Sequence, residues 1–363
     1  MTSETYTPRT WRTHPLHLVP PEPYSPSHPG TKATLDWIFF VSSLNFSFWS
    51  EKEGSPERYG VEWREGWGSE KTSVWTGYWS LLASINRALE AGIPITDPSF
   101  YSSEALCPDK LIEDVFRHAP QSKESIPLLR DRIKILREVG SILCKEFRGS
   151  FQGFLESFHR KYKYHGTALQ LVQMVAETFP SFRDETTYEG RRVYFWKRPQ
   201  ILVAETWAAF YPPPCSSPTI HPLFRHGAFI HELTMFADYR VPQILHHLRI
   251  LSYPSSLIDI LLSHKPLPTG CREEVAIRAA SILAVEQVRK EIERLRSRKK
   301  TNMPKNGLEK CVSVEGEWDE VSSVVIDFYL WDLAKKIEVG DEKVDGIRTV
   351  EMLPAHRTRS IWY

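Results

Sequence analysis

The chain has 363 residues, and its 46 Lys and Arg against 45 Asp and Glu give a formal net charge of +1. A balance this close to zero argues against a protein whose main task is to grip a nucleic-acid backbone, which needs a clear basic excess. Hydrophobic residues make up 41% and charged residues 25%, as is typical of a globular fold, and the 12 Trp, 14 Tyr and 18 Phe offer flat surfaces for a planar ligand.

The cysteines and the apolar segments predict the compartment. Five scattered cysteines without a CxxC pair exclude a disulfide framework and make a cysteine zinc site a poor interpretation. Residues 1–27 contain no apolar core of a signal peptide, and polar side chains interrupt the longest apolar stretch, 35–49. We therefore predict a soluble cytoplasmic protein, with the nucleus as an alternative location, and no membrane partner.

The first hundred residues contain an arm, an ambiguous apolar segment and one clear helix. Proline-rich residues 1–31 predict an extended arm, in which His17 and its leucine neighbours can dock back onto the body. Residues 36–49 fit either a strand or a buried helix, and charged residues 51–71 predict an irregular excursion. Residues 78–90 predict a helix, because apolar residues recur at helical spacing before Gly92 and Pro94.

Helices also dominate the rest of the predicted fold. Helical patterns occupy 127–147, 151–158, 168–179, 199–207, 240–251, 255–263 and 272–298, and residues 322–336 end in a helical pattern. A turn followed by alternation predicts a small hairpin at 188–196, whereas proline-rich 211–229 and polar 297–317 predict loops. The pattern favours a mostly α fold with at most a small sheet, and the absence of GxGxxG and GxxxxGK[ST] sequences excludes Rossmann and P-loop chemistry.

Asp238 is the first candidate site residue, because large apolar residues surround it just before a helical pattern. It has two interpretations. One is a helix N-cap, in which the carboxylate accepts free backbone N–H groups. The other is a carboxylate held in an aromatic pocket, where desolvation and fixed geometry allow it to stabilise a cationic transition state. The sequence leaves both open.

A second acidic and aromatic cluster lies at 327–332. Phe328 and Asp332 are i,i+4 neighbours on one helix face, Asp327 is placed at the helix start as a possible cap, and Trp331 is interpreted as core. Buried acids at these positions need donors, which a guanine-like base edge or a neighbouring arginine supplies. No histidine, cysteine or acidic spacing forms a metal motif, so we predict neither a metal nor a cofactor.

Six segments, in this order, carry a family resemblance. They are LNFSFWSE at 44–51, GYWSLLASINRALEAGIPITDPSFY at 77–101, FPSFRDET at 179–186, KRPQILVAETW at 197–207, TMFADYRVPQIL at 234–245 and IDFYLWDLAK at 326–335. Together they resemble the queuosine salvage proteins, the queuosine 5′-phosphate N-glycosylases that release the base queuine. The resemblance runs from about residue 35 to 363, which predicts an arm at 1–31 and a glycosylase-like domain at 32–363 with insertions at about 51–71, 211–229 and 297–317.

The resemblance implies a helical fold similar to helix-hairpin-helix DNA glycosylases and a nucleotide substrate. The implied catalytic residue is Asp238. The implied substrate-binding residues are His17, Phe236, Asp238, Asp327, Phe328 and Asp332, with the two phenylalanines sandwiching or abutting the base. The 5′-phosphate needs a cation, for which Lys197, Arg198 and Arg240 are candidates. We expect no stable nucleic-acid complex, and the sequence does not predict the oligomeric state.

Two other classes of function stay open at this point. One is an N-glycosylase that acts on intact RNA or DNA, which the implied fold favours and the +1 charge disfavours. The other is a non-catalytic helical scaffold, in which the acids cap helices and the aromatic side chains form a core.

Overall fold

Helices make up most of the computed structural model, which describes Thr10 and residues 14–20, 23–211, 221–301, 321–338, 340 and 346–363. The α-helices are α1 Pro29–Ser43, α2 Tyr78–Glu90, α3 Pro98–Tyr101, α4 Asp109–Val115, α5 Leu129–Glu146, α6 Phe151–Lys161, α7 Ala168–Thr178, α8 Lys197–Ala209, α9 Arg240–His247, α10 Ser255–Leu262, α11 Arg272–Thr301 and α12 Ser323–Glu338. Short 3-10 helices occupy Pro180–Phe182 and Pro222–Glu232. The predicted mostly α fold is confirmed, and the likeness to DNA glycosylases stays a prediction.

Local sequence signals start several of these helices. Thr167 and Gln170 form a reciprocal capping box at the start of α7. The Ser150 hydroxyl accepts the backbone N–H of Gly153 in α6, and α1 begins with Pro29, whose missing N–H is no loss in a first helical turn. Within the described ranges, no helix combines the length and the apolar character needed to span a bilayer.

The ambiguous segment 36–49 divides into a helix and a buried extended stretch. Helix α1 ends at Ser43, and almost all of its residues from Thr34 onward are buried, as expected of a helix that is apolar on every side. The following stretch leaves backbone carbonyls inside the protein. The buried Arg132 guanidinium of α5 satisfies two of them, donating to the carbonyls of Leu44 at 2.5 Å and Phe46 at 2.6 Å.

Two antiparallel hairpins are the only sheets among the described residues. The hairpin predicted at 188–196 is confirmed as Glu185–Tyr188 paired with Arg191–Tyr194, and its two turn residues have φ of +48° and +77°. The other hairpin pairs Gly60–Arg64 with Thr72–Thr76, so the excursion predicted at 51–71 contains the first strand of a small sheet. In the first strand, buried Val61 and Trp63 alternate with charged residues on the more exposed face. The many charges of this segment make that alternation hard to recognise in the sequence.

The N-terminal arm packs against the body, as its leucines predicted. Leu16 is fully buried, and its carbonyl accepts the Asn86 side-chain amide at 2.8 Å. His14 stacks on Trp79 with ring centroids 3.5 Å apart. Helix α1 already begins at Pro29, two residues before the predicted end of the arm.

Two predicted loops lie partly outside the described residues. Residues 212–220 are not described, but Pro222–Glu232 forms a 3-10 helix where the sequence predicted an irregular loop. Likewise, residues 302–320 are not described, and α11 extends to Thr301, beyond the predicted end at 298.

Two apolar cores meet at the segment that precedes α9. The larger core packs α1, α2 and α5 to α8 around many phenylalanines, and the smaller one packs α9 against α11 and α12. Phe236 belongs to the larger core, whereas its neighbours Met235 and Ala237 belong to the smaller one. On α12, Phe328 likewise belongs to the larger core and Leu330 to the smaller one. Both predicted site clusters therefore lie on the boundary between the cores.

Candidate active site

A cavity opens at this boundary and contains about 670 Å³ of space free of atoms, its open side included. Its lining comes from six parts of the chain: Asn45, Phe48, Gly77, Tyr78, Lys197, Ile201, Glu205, Phe236, Asp238, Tyr239, Arg240, Asp327, Phe328, Trp331, Lys335 and Tyr363. Four of the predicted site residues, Phe236, Asp238, Asp327 and Phe328, thus meet in one place.

Asp238 caps a helix and also lines the cavity, and its catalytic role stays a prediction. Its Oδ1 accepts the backbone N–H groups of Arg240 at 2.9 Å and Val241 at 3.0 Å, so it caps the start of α9. Oδ2 receives no hydrogen bond from any residue that the structure describes, and the half-buried carboxyl lines the cavity. One oxygen fixes the orientation, which leaves the other for a ligand or a water molecule.

A buried arginine holds the backbone next to Asp238. Arg278 of α11 donates its Nε–H to the Ala237 carbonyl at 2.8 Å and forms an ion pair with Asp184 at 2.5 Å. Its guanidinium also lies over the rings of Phe195 and Tyr363, about 4 Å from each centroid. Since every one of these partners is buried, the segment that presents Asp238 is held on a rigid support.

Asp327 does not cap α12, which corrects the sequence interpretation. It is the fifth residue of the helix, is 4% exposed, and accepts the backbone N–H of Phe236 on Oδ1 at 2.9 Å. Burial raises the pKa of Asp327 well above its ordinary value, and the neighbouring charge of Asp238 raises it further. Two carboxyls that share one apolar space cannot both ionise at low cost.

Lys197, the first residue of α8, is a cation near both carboxyls, and its charge opposes the effect of burial on the pKa of each. Burial raises the pKa of Asp238, but the positive charge of Lys197 and the two backbone N–H groups oppose that rise. The Lys197 ammonium donates to Asn45 at its carbonyl, 3.0 Å away, and at its side-chain oxygen, 3.3 Å away, while burial lowers the pKa of Lys197 to about 8. The arrangement favours an ionised Asp238 beside a proton-holding Asp327.

Glu205 and Tyr78 line the cavity although the sequence analysis did not select them. The Tyr78 hydroxyl donates to Glu205 Oε1 at 3.3 Å, and burial raises the pKa of Glu205 to about 7. The sequence offers no local signal for Glu205, because no pattern within α8 shows which face lines a cavity. All thirteen residues of α8 are buried, and charged side chains in so apolar a helix need a ligand or a partner.

Phe236 and Phe328 form an aromatic wall of the cavity. The rings of Phe236 and Phe328 have centroids 5.7 Å apart and are tilted by 58°, so they touch each other. A base stacked between two parallel rings needs about 7 Å, twice the usual stacking distance of aromatic rings. The ring spacing leaves no room for a base between the two rings and favours the abutting alternative, and the contact of both rings with a base stays a prediction. Trp331, interpreted as core, also lines the cavity.

Three other candidates lie outside the cavity lining. His17 packs near Trp79, with ring centroids 5.9 Å apart, and Asp332 Oδ2 is 3.4 Å from the Lys336 ammonium. The roles of both in substrate binding stay predictions. Arg198 is 1% exposed and donates to the carbonyls of Ser43 and Ser181, so its cation serves the core.

Metal-ligating side chains do not group together in the described part of the chain: no three His, Cys, Asp or Glu side chains are placed to hold one ion. Asp238 and Asp327 are the two acids of the cavity that lie near each other, and their shared cation is Lys197. The arrangement offers a fixed carboxylate, a neutral carboxyl and an ammonium around an aromatic wall, a set of groups suited to acid–base and electrostatic chemistry on a planar heterocycle.

Comparison with known proteins agrees with this arrangement. Residues 24–363 match the family described as queuosine salvage protein. Three relatives bear the name queuosine 5′-phosphate N-glycosylase/hydrolase. The Schizosaccharomyces pombe protein is 39% identical over 97% of this chain and 87% of its own length. The Mus musculus protein is 38% identical over 92% of this chain and 82% of its own length. The Sphaerobacter thermophilus protein is 35% identical over 92% of this chain and 83% of its own length. The chain belongs to the queuosine salvage protein family.

Proposed function

We propose that this chain hydrolyses the N-glycosidic bond of queuosine 5′-phosphate and releases the base queuine for salvage into tRNA. The observation that carries the proposal is the convergence of Asp238, Asp327 and Lys197 on one aromatic-walled cavity in a chain of this family. The names of the relatives supply the substrate, and the cavity residues supply a way to perform the reaction.

Asp238 is the proposed catalytic residue. Breaking the bond between C1′ and the base nitrogen leaves positive charge on the sugar, as in other glycoside cleavages. The carboxylate, fixed through Oδ1, presents Oδ2 to stabilise that charge and to orient a water molecule toward C1′. The water oxygen bonds to C1′, the bonding electron pair and a proton go to the base, and the products are queuine and ribose 5-phosphate.

Asp327 and the phenylalanines are the proposed base-binding residues. Asp327 Oδ1 already accepts the Phe236 N–H, so Oδ2 is left for a polar group on the guanine-like edge of the base. The rings of Phe236 and Phe328, which line the cavity, then contact the flat face of the heterocycle. Base and sugar thereby occupy neighbouring parts of one cavity, with the bond to be broken next to Asp238.

The proposal is tested by incubating the purified protein with queuosine 5′-monophosphate and separating the products by chromatography. We expect queuine and ribose 5-phosphate in equal amounts, with and without EDTA. A parallel incubation with queuosine-containing tRNA tests the nucleic-acid glycosylase alternative. That alternative predicts that queuine is released from intact tRNA as fast as from the monophosphate. Release of queuine from neither substrate would overturn the proposed activity and favour the scaffold alternative.

A further inference from the structure

A buried ion pair joins the two segments that present Lys197 and Asp238. Asp184 immediately precedes the strand Glu185–Tyr188, and Arg278 lies in α11, 94 residues after Asp184. The guanidinium donates two hydrogen bonds to the carboxylate, Nη1 to Oδ1 at 3.0 Å and Nη2 to Oδ2 at 2.5 Å. Both side chains are at most 4% exposed and lie outside the cavity lining, so any effect on the reaction has to pass through other residues.

Asp184 also holds the start of α8. Its Oδ2 accepts the backbone N–H of Lys197 at 3.2 Å, and its carbonyl accepts the N–H groups of Phe195 at 3.0 Å and Trp196 at 3.2 Å. Trp196, the N-cap of the helix, provides no side-chain cap and has a φ of +47°, a conformation that is strained for a bulky residue. Asp184 therefore takes the place of the missing cap and keeps the backbone next to Lys197 in this strained conformation.

Arg278 holds the segment of Asp238 from the other end of the pair. Its Nε–H donates to the carbonyl of Ala237 at 2.8 Å, directly before Asp238 in the chain. Glu274, one helical turn away, adds a contact to Nη1 at 3.4 Å. The planar guanidinium thus uses all three of its nitrogen atoms, two for Asp184 and one for Ala237. A lysine ammonium carries the same charge but does not reproduce this geometry.

We propose that Asp184 and Arg278 are positioning residues that set the separation between the Lys197 ammonium and the Asp238 carboxylate. The proposal rests on the proposed function for the reaction that this separation serves. The guanidinium contacts the backbone next to Asp238 directly and reaches the backbone of Lys197 through a single carboxylate. A shift of either segment relative to the other therefore requires that the buried pair moves or breaks.

The separation matters because it controls the charge on Asp238. The titratable groups that face its carboxyl are Lys197 of α8, Tyr239, Arg240 of α9 and Asp327 of α12. Burial raises the pKa of Asp238, and the positive charge of Lys197 is the strongest influence that opposes this rise. Since the attraction between two charges weakens with distance, a wider separation raises the pKa of Asp238 and leaves less of it ionised.

The test compares Arg278→Lys with wild type, because this variant keeps the charge of the pair and loses its geometry. We expect kcat for queuosine 5′-monophosphate to fall by about 10- to 100-fold with a smaller change in KM. The acidic limb of the pH–rate profile should move to higher pH by about 0.5 unit. Arg289→Lys, in the same helix and paired with Glu293, is the matched control and should keep the wild-type rate and profile.

The same substitution in the Lys197→Gln background shows whether the effect passes through Lys197. No cation remains there to be positioned, so Arg278→Lys should add no further shift of the acidic limb. A lower melting temperature with the limb unchanged, or an equal added shift in both backgrounds, would overturn the proposal.

An NMR titration without substrate separates this proposal from the proposed function. In protein labelled with ¹³C at the aspartate carboxyls, the signal of Asp238 is identified by its absence in Asp238→Asn. A higher pKa of Asp238 in Arg278→Lys supports the positioning role even if no substrate is hydrolysed, and an equal pKa contradicts it even if queuine is released. Asp184→Glu, which changes the other end of the pair and keeps its charge, gives the same test if Arg278→Lys does not fold.

Discussion

Phe236 donates its backbone N–H to Asp327 Oδ1 at 2.9 Å and so joins two motifs that are 91 residues apart in the chain. The same contact fixes the second acid of the cavity beside the first, because Phe236 lies two residues before Asp238. The segment before α9 and the helix α12 therefore form one unit, and a change in either is expected to affect the other.

Asp327→Asn tests the base-binding role of this unit. The amide oxygen still accepts the Phe236 N–H, so the fold is expected to stay intact, but the group facing the base changes. We expect the affinity for queuine to fall by about 1.5–3 kcal/mol, the range for a hydrogen bond that involves a charged or acidic group. Calorimetric titration with queuine measures this loss. Unchanged affinity would remove Asp327 from the base-binding residues.

Asp332→Ala tests whether the second acid of this cluster also binds the base. The resemblance predicts a similar loss of affinity, whereas the side chain lies 3.4 Å from Lys336 and is 34% exposed. An exposed ion pair of this kind contributes about 0–1 kcal/mol to stability. A loss of queuine affinity without a change in melting temperature would confirm the predicted role, and unchanged affinity would contradict it.

Lys197→Gln should alter the pH dependence of hydrolysis. The positive charge of Lys197 lowers the pKa of Asp238 against the effect of burial, so its removal raises that pKa. Because the ionised carboxylate is the active form, the acidic limb of the pH–rate profile should move to higher pH in the variant. Initial rates measured between pH 5 and 9 check this. An acidic limb that stays at the same pH would show that Asp238 does not titrate in that step, or that the charge of Lys197 does not affect its pKa.

Glu205→Gln should change how stability depends on pH. Burial raises the pKa of Glu205 from 4.5 to about 7, so the folded protein holds a proton that the unfolded chain has released. This group therefore makes wild type less stable as pH rises from about 4.5 to about 7, by at most about 3 kcal/mol. The glutamine retains an acceptor for Tyr78 without this cost. Urea unfolding at pH 5 and pH 8 measures this effect. The free energy of unfolding of the variant, relative to that of wild type, should be higher at pH 8 than at pH 5. An equal difference between the two proteins at both pH values would contradict the raised pKa of Glu205.

Local signals explain which parts of the fold are predictable from the sequence. The helix predicted at 78–90 matches α2, because Gly92 and Pro94 stop it whatever the rest of the chain does. Helix α12 was harder to delimit, since the β-branched run at its start has low helix propensity and packing overrides it. For that reason Asp327 was placed at the start of a helix in which it is the fifth residue.

The site is predictable only in part for a different reason. The family motifs indicated Asp238, Asp327, Phe236 and Phe328, which the structure brings to one cavity. Lys335 and Glu205 depend on how α12 and α8 pack, and no pattern within either helix shows which face lines a cavity.

The most direct test of the account is the single-turnover rate of queuine release by Asp238→Asn. The asparagine can still cap α9, so the melting temperature should stay near that of wild type while the rate falls by on the order of 100-fold or more. Asp97→Asn is the matched control: Asp97 caps α3 by accepting the Ser99 N–H at 2.9 Å, lies outside the cavity lining, and should keep the wild-type rate. Release by Asp238→Asn at the wild-type rate would contradict the account and leave Asp238 as a helix cap alone.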